Sequence, residues 1–205
     1  MKIFDISKTI SPDMEIYPKD PAPVLTRVLG LEQGDLYNVS KLQLGTHTGT
    51  HVDPPLHLFS GEVGVSEMPL EPLVGSARLI DMSGIRRPIE PDDIGKLHVE
   101  EILLIKGAND GACLTALCAQ YFVDNNIRTI GVDALSIGAP DEEYKVHHIL
   151  LHAGIIIIEG LELCDVEAGN FFFICLPLKI ANADGGPARA ILISDRYPTL
   201  AEYQH

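Results

Sequence analysis

Apolar residues fall along this chain in short runs set off by proline and glycine, and the runs differ in character. Lys2 to Ile6 predicts a first strand, and Ser11 to Pro21 a loop in which prolines at 12, 18 and 21 forbid regular structure. Tyr37 to Leu44 alternates, with Val39, Leu42 and Leu44 as its apolar members, and predicts a strand. Residues 60 to 73 read as irregular, and Ala77 to Met82 as a strand. Glu90-Pro91-Asp92-Asp93 opens a short helix ending near Leu97, with proline at the first helical position and acids where the dipole favours them. Glu101 to Lys106 is a near-continuous apolar run, as in a strand covered on both faces, and Ile127 to Val132 is the next buried strand. Between them, apolar residues at 114, 117, 118, 121 and 122 predict a helix over Leu114 to Asn125 that Asn126 stops. Asp141 to Ala153 predicts another helix, acidic at its start and stopped by Gly154. Ile155 to Ile158 follows as a strand running into Glu159-Gly160. Phe171 to Leu178 and Ala188 to Ile193, joined through a turn over 182–187, predict a hairpin, and the polar last residues are expected to be loosely held.

No linker, repeat or low-complexity segment divides the 205 residues, so one domain over 1–205 is expected. A hydrophobic content of 46% with 21% charged residues is that of a soluble globular chain. The 29 acidic residues against 15 basic ones give a net charge of -14, which repels phosphate backbones and anionic lipid, so neither nucleic acid nor a membrane is expected as a partner. Cys113, Cys118, Cys164 and Cys175 form no paired motif and read as small buried hydrophobes in a reducing compartment. An acidic residue at position 5 argues against a signal peptide, and no apolar run approaches a membrane span, so a cytoplasmic location is expected.

The chemistry concentrates in His47-Thr-Gly-Thr-His51-Val-Asp53-Pro-Pro-Leu-His57. Its threonines, glycine and paired prolines disfavour helix, so the polar groups sit on extended or looping backbone. Positions 47, 51, 53 and 57 share one parity, which on an extended chain turns all four to one side. Imidazole nitrogens converging with a carboxylate suit a borderline divalent cation such as zinc or manganese. The bland alternative is a loop of solvated histidines, or a single histidine satisfied in the core.

A second group lies further on. His148 and His152, four apart, share a helix face, while a tight turn after the helix would let an early helix residue such as His147 come near the end of the following strand, where Glu159 projects. Periodicity leaves open which histidine matters. Glu159 follows four isoleucines and needs a partner if buried; a cation is one solution and Arg189 another. Asp133, at a strand's C-terminal end, is placed either for a site or as a turn carboxylate. Tyr17, in the first loop, is placed for a lid contact or a substrate contact.

The stretch His47 to His57 resembles the H-x-G-T-H-x-D-x-P-x-H signature of the Putative cyclase family of metal-dependent hydrolases, which includes bacterial kynurenine formamidases and isatin hydrolases. Val146-His147-His148 through Ile158-Glu159, Leu176-Pro177-Leu178-Lys179 and Ala183-Asp184-Gly185-Gly186-Pro187-Ala188-Arg189 resemble further family blocks in the family's order. The resemblance implies an α/β domain of the swivelling β/β/α type with a mixed sheet, assembled as a homo-oligomer (dimer or tetramer). It implies two divalent metal ions per subunit, zinc ahead of manganese. His47, His51 and Asp53 match the ligands of one metal, and Asp53, His147 and Glu159 those of the second. His57 matches the catalytic acid/base. In the kynurenine formamidases a tryptophan stands where this chain has Tyr17, and the family glycine after the proline is Lys19.

These readings point to a metal-dependent hydrolase of a small amide, with an aryl formamide such as N-formylkynurenine as the first substrate to test. The alternatives are an isatin-type lactam hydrolase, a metal-dependent cyclase or dehydratase, a metal or small-molecule binding protein without catalysis, and a silent structural domain.

Overall fold

A computed structural model describes residues 1–99 and 101–194, so the C-terminal segment expected to be loosely held lies outside the described residues. In chain order the regular elements are β1 (Lys2–Asp5), β2 (Val24–Leu29), β3 (Val39–Gln43), β4 (His51–Asp53), β5 (Val74–Asp81), α1 (Pro91–Ile94), β6 (Ile102–Lys106), α2 (Ala116–Asp124), β7 (Thr129–Val132), α3 (Glu143–His152), β8 (Ile156–Glu159), β9 (Gly169–Pro177) and β10 (Gly186–Ser194). Seven strands close into a ring in the order β10-β4-β8-β7-β6-β5-β9, with β9 pairing back onto β10 and β1 added to β10's other edge. Strands β5 to β8 run parallel, each joined to the next by a connection carrying α1, α2 or α3, while every other pairing is antiparallel. This is the α/β fold with a mixed sheet that the resemblance implied.

The near-continuous apolar runs follow from this closure. Along β6, Ile102 and Leu104 pack into the ring's interior with Phe173, Leu192 and Val52, while Leu103 and Ile105 pack outward against the helices with Phe122 and Leu150. In β8, Ile156 and Ile158 point inward and Ile157 outward. A strand sandwiched in this way has no solvent face to carry polar residues. Fully burying each such side chain stabilises by roughly 1.5–3 kcal/mol.

The helices begin and end for local reasons. Thr115 caps α2, its side-chain oxygen accepting from the Cys118 amide at 3.1 Å. Glu90 and Asp93 form the reciprocal capping box of α1, and Arg87 clamps Asp93 with two bonds of 2.7 and 2.9 Å, holding that carboxyl down at about 2. The helix stops at Ile94 instead of near Leu97, because Gly95 leaves helical geometry at φ 69°.

Several expectations change. Val24–Leu29 is a strand that the apolar pattern did not disclose; among the described residues it pairs only with β3, and neither strand of this hairpin has a buried residue. The alternation of Val39 and Leu42 therefore marks no core. Arg189 does not meet Glu159: β10 pairs with β1, which sets the guanidinium on the Asp5 carboxylate. Asp133 is a turn carboxylate, accepting from the Gly107 and Ala108 amides at 2.8 Å each. Cys118 and Cys175 are buried as expected and burial pushes both thiols up to about 12, but Cys113 is half-buried and Cys164 exposed.

Candidate metal centre

Strands β4 and β8 are antiparallel neighbours, and their register places His51 opposite Glu159 and Asp53 opposite Ile157. His51 and Asp53, two apart on β4, share a face as the parity argument required. The parity does not extend to the whole stretch, because β4 is only three residues long. Gly49 turns the chain at φ 69° before it, and Pro54 leads into a 3-10 turn over Pro55–His57 after it. His47 and His57 reach the same point from loops on either side. On α3, His147 lies on the buried face with Val146, Leu150 and Leu151. Gly160, just after Glu159, is left-handed at φ 66°; a Cβ there would lie 2.3 Å from the Gly49 carbonyl oxygen, so only glycine permits β8 to lie this close to the 49–50 turn.

The result is a cluster of three imidazoles on two buried carboxylates. Asp53 is 1% exposed and Glu159 4%. One Asp53 oxygen, Oδ1, lies 2.9 Å from His47 Nδ1 and 3.4 Å from His51 Nε2, while Oδ2 lies 3.8 Å from His147 Nε2. Glu159 Oε1 is 3.0 Å from His147 Nε2 and accepts from the Ile137 amide at 2.8 Å; its other oxygen is 3.5 Å from His51 Nε2. Asp53 thus faces two donor sets with two different oxygens. The ligand-type atoms of His47, Asp53 and His57, and those of His51, Asp53 and Glu159, each fall within 4.8 Å of one another. Asp53 is common to both groups, but their membership differs from the sets the resemblance implied: His57 stands with His47, His51 stands with Glu159, and His147 falls in neither.

The electrostatics follow from burial against pairing. Burial pulls the His147 imidazolium down, but its hydrogen bond to Glu159 and that carboxylate's charge overcome the penalty and hold it up at about 9. Burial likewise opposes the His51 imidazolium, which Asp53 and Glu159 nonetheless raise well above the usual histidine value. Burial would raise the Asp53 carboxyl, yet the charge of His51 and the hydrogen bond from His47 hold it well below the carboxylate range. His57 goes the other way: burial lowers it, which favours the neutral imidazole.

Three atoms test the fit to a metal. His51 Nε2, Asp53 Oδ2 and His57 Nδ1 are buried and have no hydrogen-bond partner among the described residues. Both ring nitrogens of His47 face carboxylate oxygens, Asp53 on one side and Asp184 on the other at 3.3 Å. A carboxylate only accepts, and a neutral imidazole has a single N–H to give. Divalent cations accepting the inward lone pairs would satisfy His47, His51 and Asp53 together, and nitrogen with carboxylate oxygen is a donor set that zinc or manganese takes.

The cluster forms the floor of a pocket of 450 Å³ lined by Tyr17, Asp20, Leu58, Leu135, Ser136, Pro140, Glu143 and Tyr144 besides the histidines. Tyr17 sits at this mouth, its hydroxyl 3.1 Å from the Glu143 carboxylate, which ties the first loop to the start of α3. His148 and His152 lie elsewhere, stacked 5.9 Å apart and flanking Phe59, so the geometry favours His147. Two polar groups escaped the sequence reading. Ser136, whose buried hydroxyl has no partner among the described residues, carries no local signal. Asp184 lies inside a block already quoted for the resemblance, and its signal is that Ala183-Asp184-Gly185-Gly186 sequence.

Known proteins resemble this chain over most of its length. The family model described as Putative cyclase matches residues 4–139. A kynurenine formamidase of Salinibacter ruber (strain DSM 13855 / M31) is 32% identical over 206 residues, covering 94% of this chain and 97% of that protein. A solved structure described as a potential metal-dependent hydrolase with cyclase activity superposes with a TM-score of 0.82 at 35% identity, covering 96% of this chain and 99% of the other. Isatin hydrolase A of Labrenzia aggregata shares the fold, with a TM-score of 0.83 at 22% identity over 95% and 94% of the two chains. Matched by the family model over more than half its length and by relatives almost end to end, the chain belongs to the Putative cyclase family.

Proposed function

We propose that this chain is a metal-dependent amidohydrolase acting on an aryl formamide, with N-formylkynurenine as the first substrate to test. The observation that carries the reading is the buried Asp53 carboxylate, whose two oxygens face separate imidazole sets at the floor of an open pocket. His47, His51 and Asp53 would hold one cation, and Asp53, His147 and Glu159 a second, zinc ahead of manganese. A divalent cation there supplies the Lewis acidity that polarises a carbonyl oxygen and lowers the pKa of water from 15.7 towards ~7.

The chain's own groups do the rest. His57, neutral and at the rim of the cluster, takes up a proton at the start of the reaction and delivers one to the departing nitrogen. Leu58, Leu135, Pro140 and the Tyr17 ring offer apolar surface to an aryl group. The unpartnered Ser136 hydroxyl is available to donate to the substrate.

The reading is tested by elemental analysis of protein purified without chelator, followed by turnover of aryl formamides, lactams and esters. At least one equivalent of transition metal per chain is expected, with formamide turnover abolished by chelation and restored by zinc or manganese. A protein that binds less and stays inactive after both metals are added would overturn it. Label from isotopic water in the product separates hydrolysis from cyclase or dehydratase chemistry, in which none enters.

We also propose that the chain is a homo-oligomer covering its β2–β3 hairpin with a second copy. Val24, Leu25, Val28 and Leu42 are about half exposed or more, as is Tyr37, and Leu36 at the tip is 91% exposed. A two-stranded hairpin alone in water is marginal. Over residues 24–43 its charges cancel, Arg27 and Lys41 against Glu32 and Asp35, while the whole chain carries -14. Two such acidic bodies repel least where they meet through that neutral arm. Leu25→Glu with Leu42→Glu is expected to shift the sedimenting species from oligomer to folded monomer; an unchanged mass, or a monomeric parent, would refute this.

A further inference from the structure

The three histidines proposed as ligands share a pattern beyond their contacts with Asp53 and Glu159. Each turns one ring nitrogen inward and rests the other on an oxygen outside the cluster. His51 Nδ1 is 2.9 Å from the Gly49 carbonyl oxygen, His147 Nδ1 2.9 Å from the Glu143 carbonyl oxygen, and His47 Nε2 3.3 Å from Asp184 Oδ2. Such oxygens accept and do not donate, so each outer nitrogen carries an N–H; with a cation at the centre the ring is neutral, and that outer N–H fixes the lone pair on the inner nitrogen. For His51 and His147 the outer acceptor is main chain, fixed by the 49–50 turn and by the preceding turn of α3. For His47 it is a side chain.

We infer that Asp184 is a positioning residue: it holds His47 as the Nε2–H tautomer, keeping Nδ1 free to bind a divalent cation beside Asp53. This rests on the metal centre proposed above. The carboxylate is itself held, because Thr46 Oγ1 donates to Asp184 Oδ1 at 3.0 Å. Thr46-His47 and Asp184 therefore grip each other through two contacts, across 138 and 137 positions of sequence. Gly185 completes the seat. A Cβ there would come within 2.6 Å of His47 Cε1, so the imidazole rests against bare main chain. Asp184 is 53% exposed on its side chain, so its contribution is the direction of a hydrogen bond and not the field of a buried charge.

The test uses the metal-free full chain and two variants. Competitive titration with zinc against a chromophoric chelator is expected to show Asp184→Ala weakening one of two sites by about 10–100-fold while the other keeps its wild-type affinity. Asp184→Asn, whose amide oxygen still accepts from Nε2–H, should recover most of that loss. Wild-type affinity at both sites in Asp184→Ala would overturn the inference. So would equal weakening of both sites together with a lowered unfolding temperature, the mark of a merely structural residue. A second readout needs no metal: nitrogen-15 resonances of the His47 ring at alkaline pH should report Nε2–H in the parent and a changed tautomer ratio in Asp184→Ala. If the chain takes up no zinc, the metal-centre reading fails on its own, and the His47 resonances still decide the role of Asp184. A parent ring that is not Nε2–H, or a ratio unmoved by the substitution, would refute it.

Discussion

Asp53→Ala is expected to strip the two metals proposed above and to lower kcat/KM on an aryl formamide by about 10³-fold or more, since removing even an outer partner of a metal-bound histidine costs about 10–100-fold. The reason is positional. Asp53 Oδ1 serves His47 and His51 while Oδ2 faces His147, so a single truncation removes an anionic ligand from both donor sets. The other carboxylates do not take its place: Glu159 has Oε1 on His147 and the Ile137 amide and Oε2 3.5 Å from His51 Nε2, away from His47, and Asp184 lies on the far side of the His47 ring. The backbone should hold, because β4 keeps its pairing with β8 and β10 whatever side chain stands at 53. Asp53→Asn is the sharper variant. It keeps the shape but puts a neutral amide where three imidazoles and the cations need an anion, and it should fail nearly as completely. Elemental analysis beside kcat/KM and a circular dichroism spectrum decides the matter. A folded Asp53→Ala protein that retains two equivalents of metal would show that Asp53 is no bridge.

How much of this was legible in the sequence depended on whether a local pattern recorded the contact. Strands β6, β7 and β8 were plain because closure of the ring covers both their faces, and burial selects Ile, Leu and Val, broken in β7 by Gly131 and by Thr129, whose hydroxyl donates to the Pro72 carbonyl oxygen at 2.6 Å. Strand β2 was invisible for the converse reason. Every residue from Val24 to Val28 is exposed, so no alternation between core and solvent marks it, and only its register with β3 makes it a strand. The metal cluster was half legible. Parity related His51 to Asp53 because they stand two apart on one strand, but His47 and His57 arrive from loops whose course is set by Gly49 and the prolines, where parity has no force. Choosing His147 over His148 and His152 took the family resemblance, since helical spacing favoured the other pair. Arg189 and Asp184 show the limit from both sides. The first left Glu159 for Asp5, and the second reached His47, through pairings of distant strands and loops that no period in the sequence records.

His57→Ala is expected to keep the metals and lose the reaction, with kcat falling by about 10²–10⁴-fold. Distance alone does not decide this, because the His57 ring stands 4.3 Å from that of His47 and its donor atoms fall within 4.8 Å of the His47 and Asp53 ligand atoms. What separates it from the other three histidines is the lack of an outer anchor. His47, His51 and His147 each rest one nitrogen on a fixed oxygen, whereas His57 Nδ1 is buried with no partner among the described residues. A ring without that anchor is not locked in one tautomer, and a group that must receive a proton at one moment and release it at another is hindered by such a lock. Burial also lowers its pKa, which favours the neutral ring with a lone pair open to a proton, while the carboxylates hold His51 and His147 up. Metal analysis and turnover on the same preparation therefore separate the two roles. Retained metal with lost turnover, partly restored by added imidazole, identifies the proton carrier. Loss of one equivalent of metal would make His57 a ligand of the site it shares with His47 and Asp53, and the proton would then need another carrier.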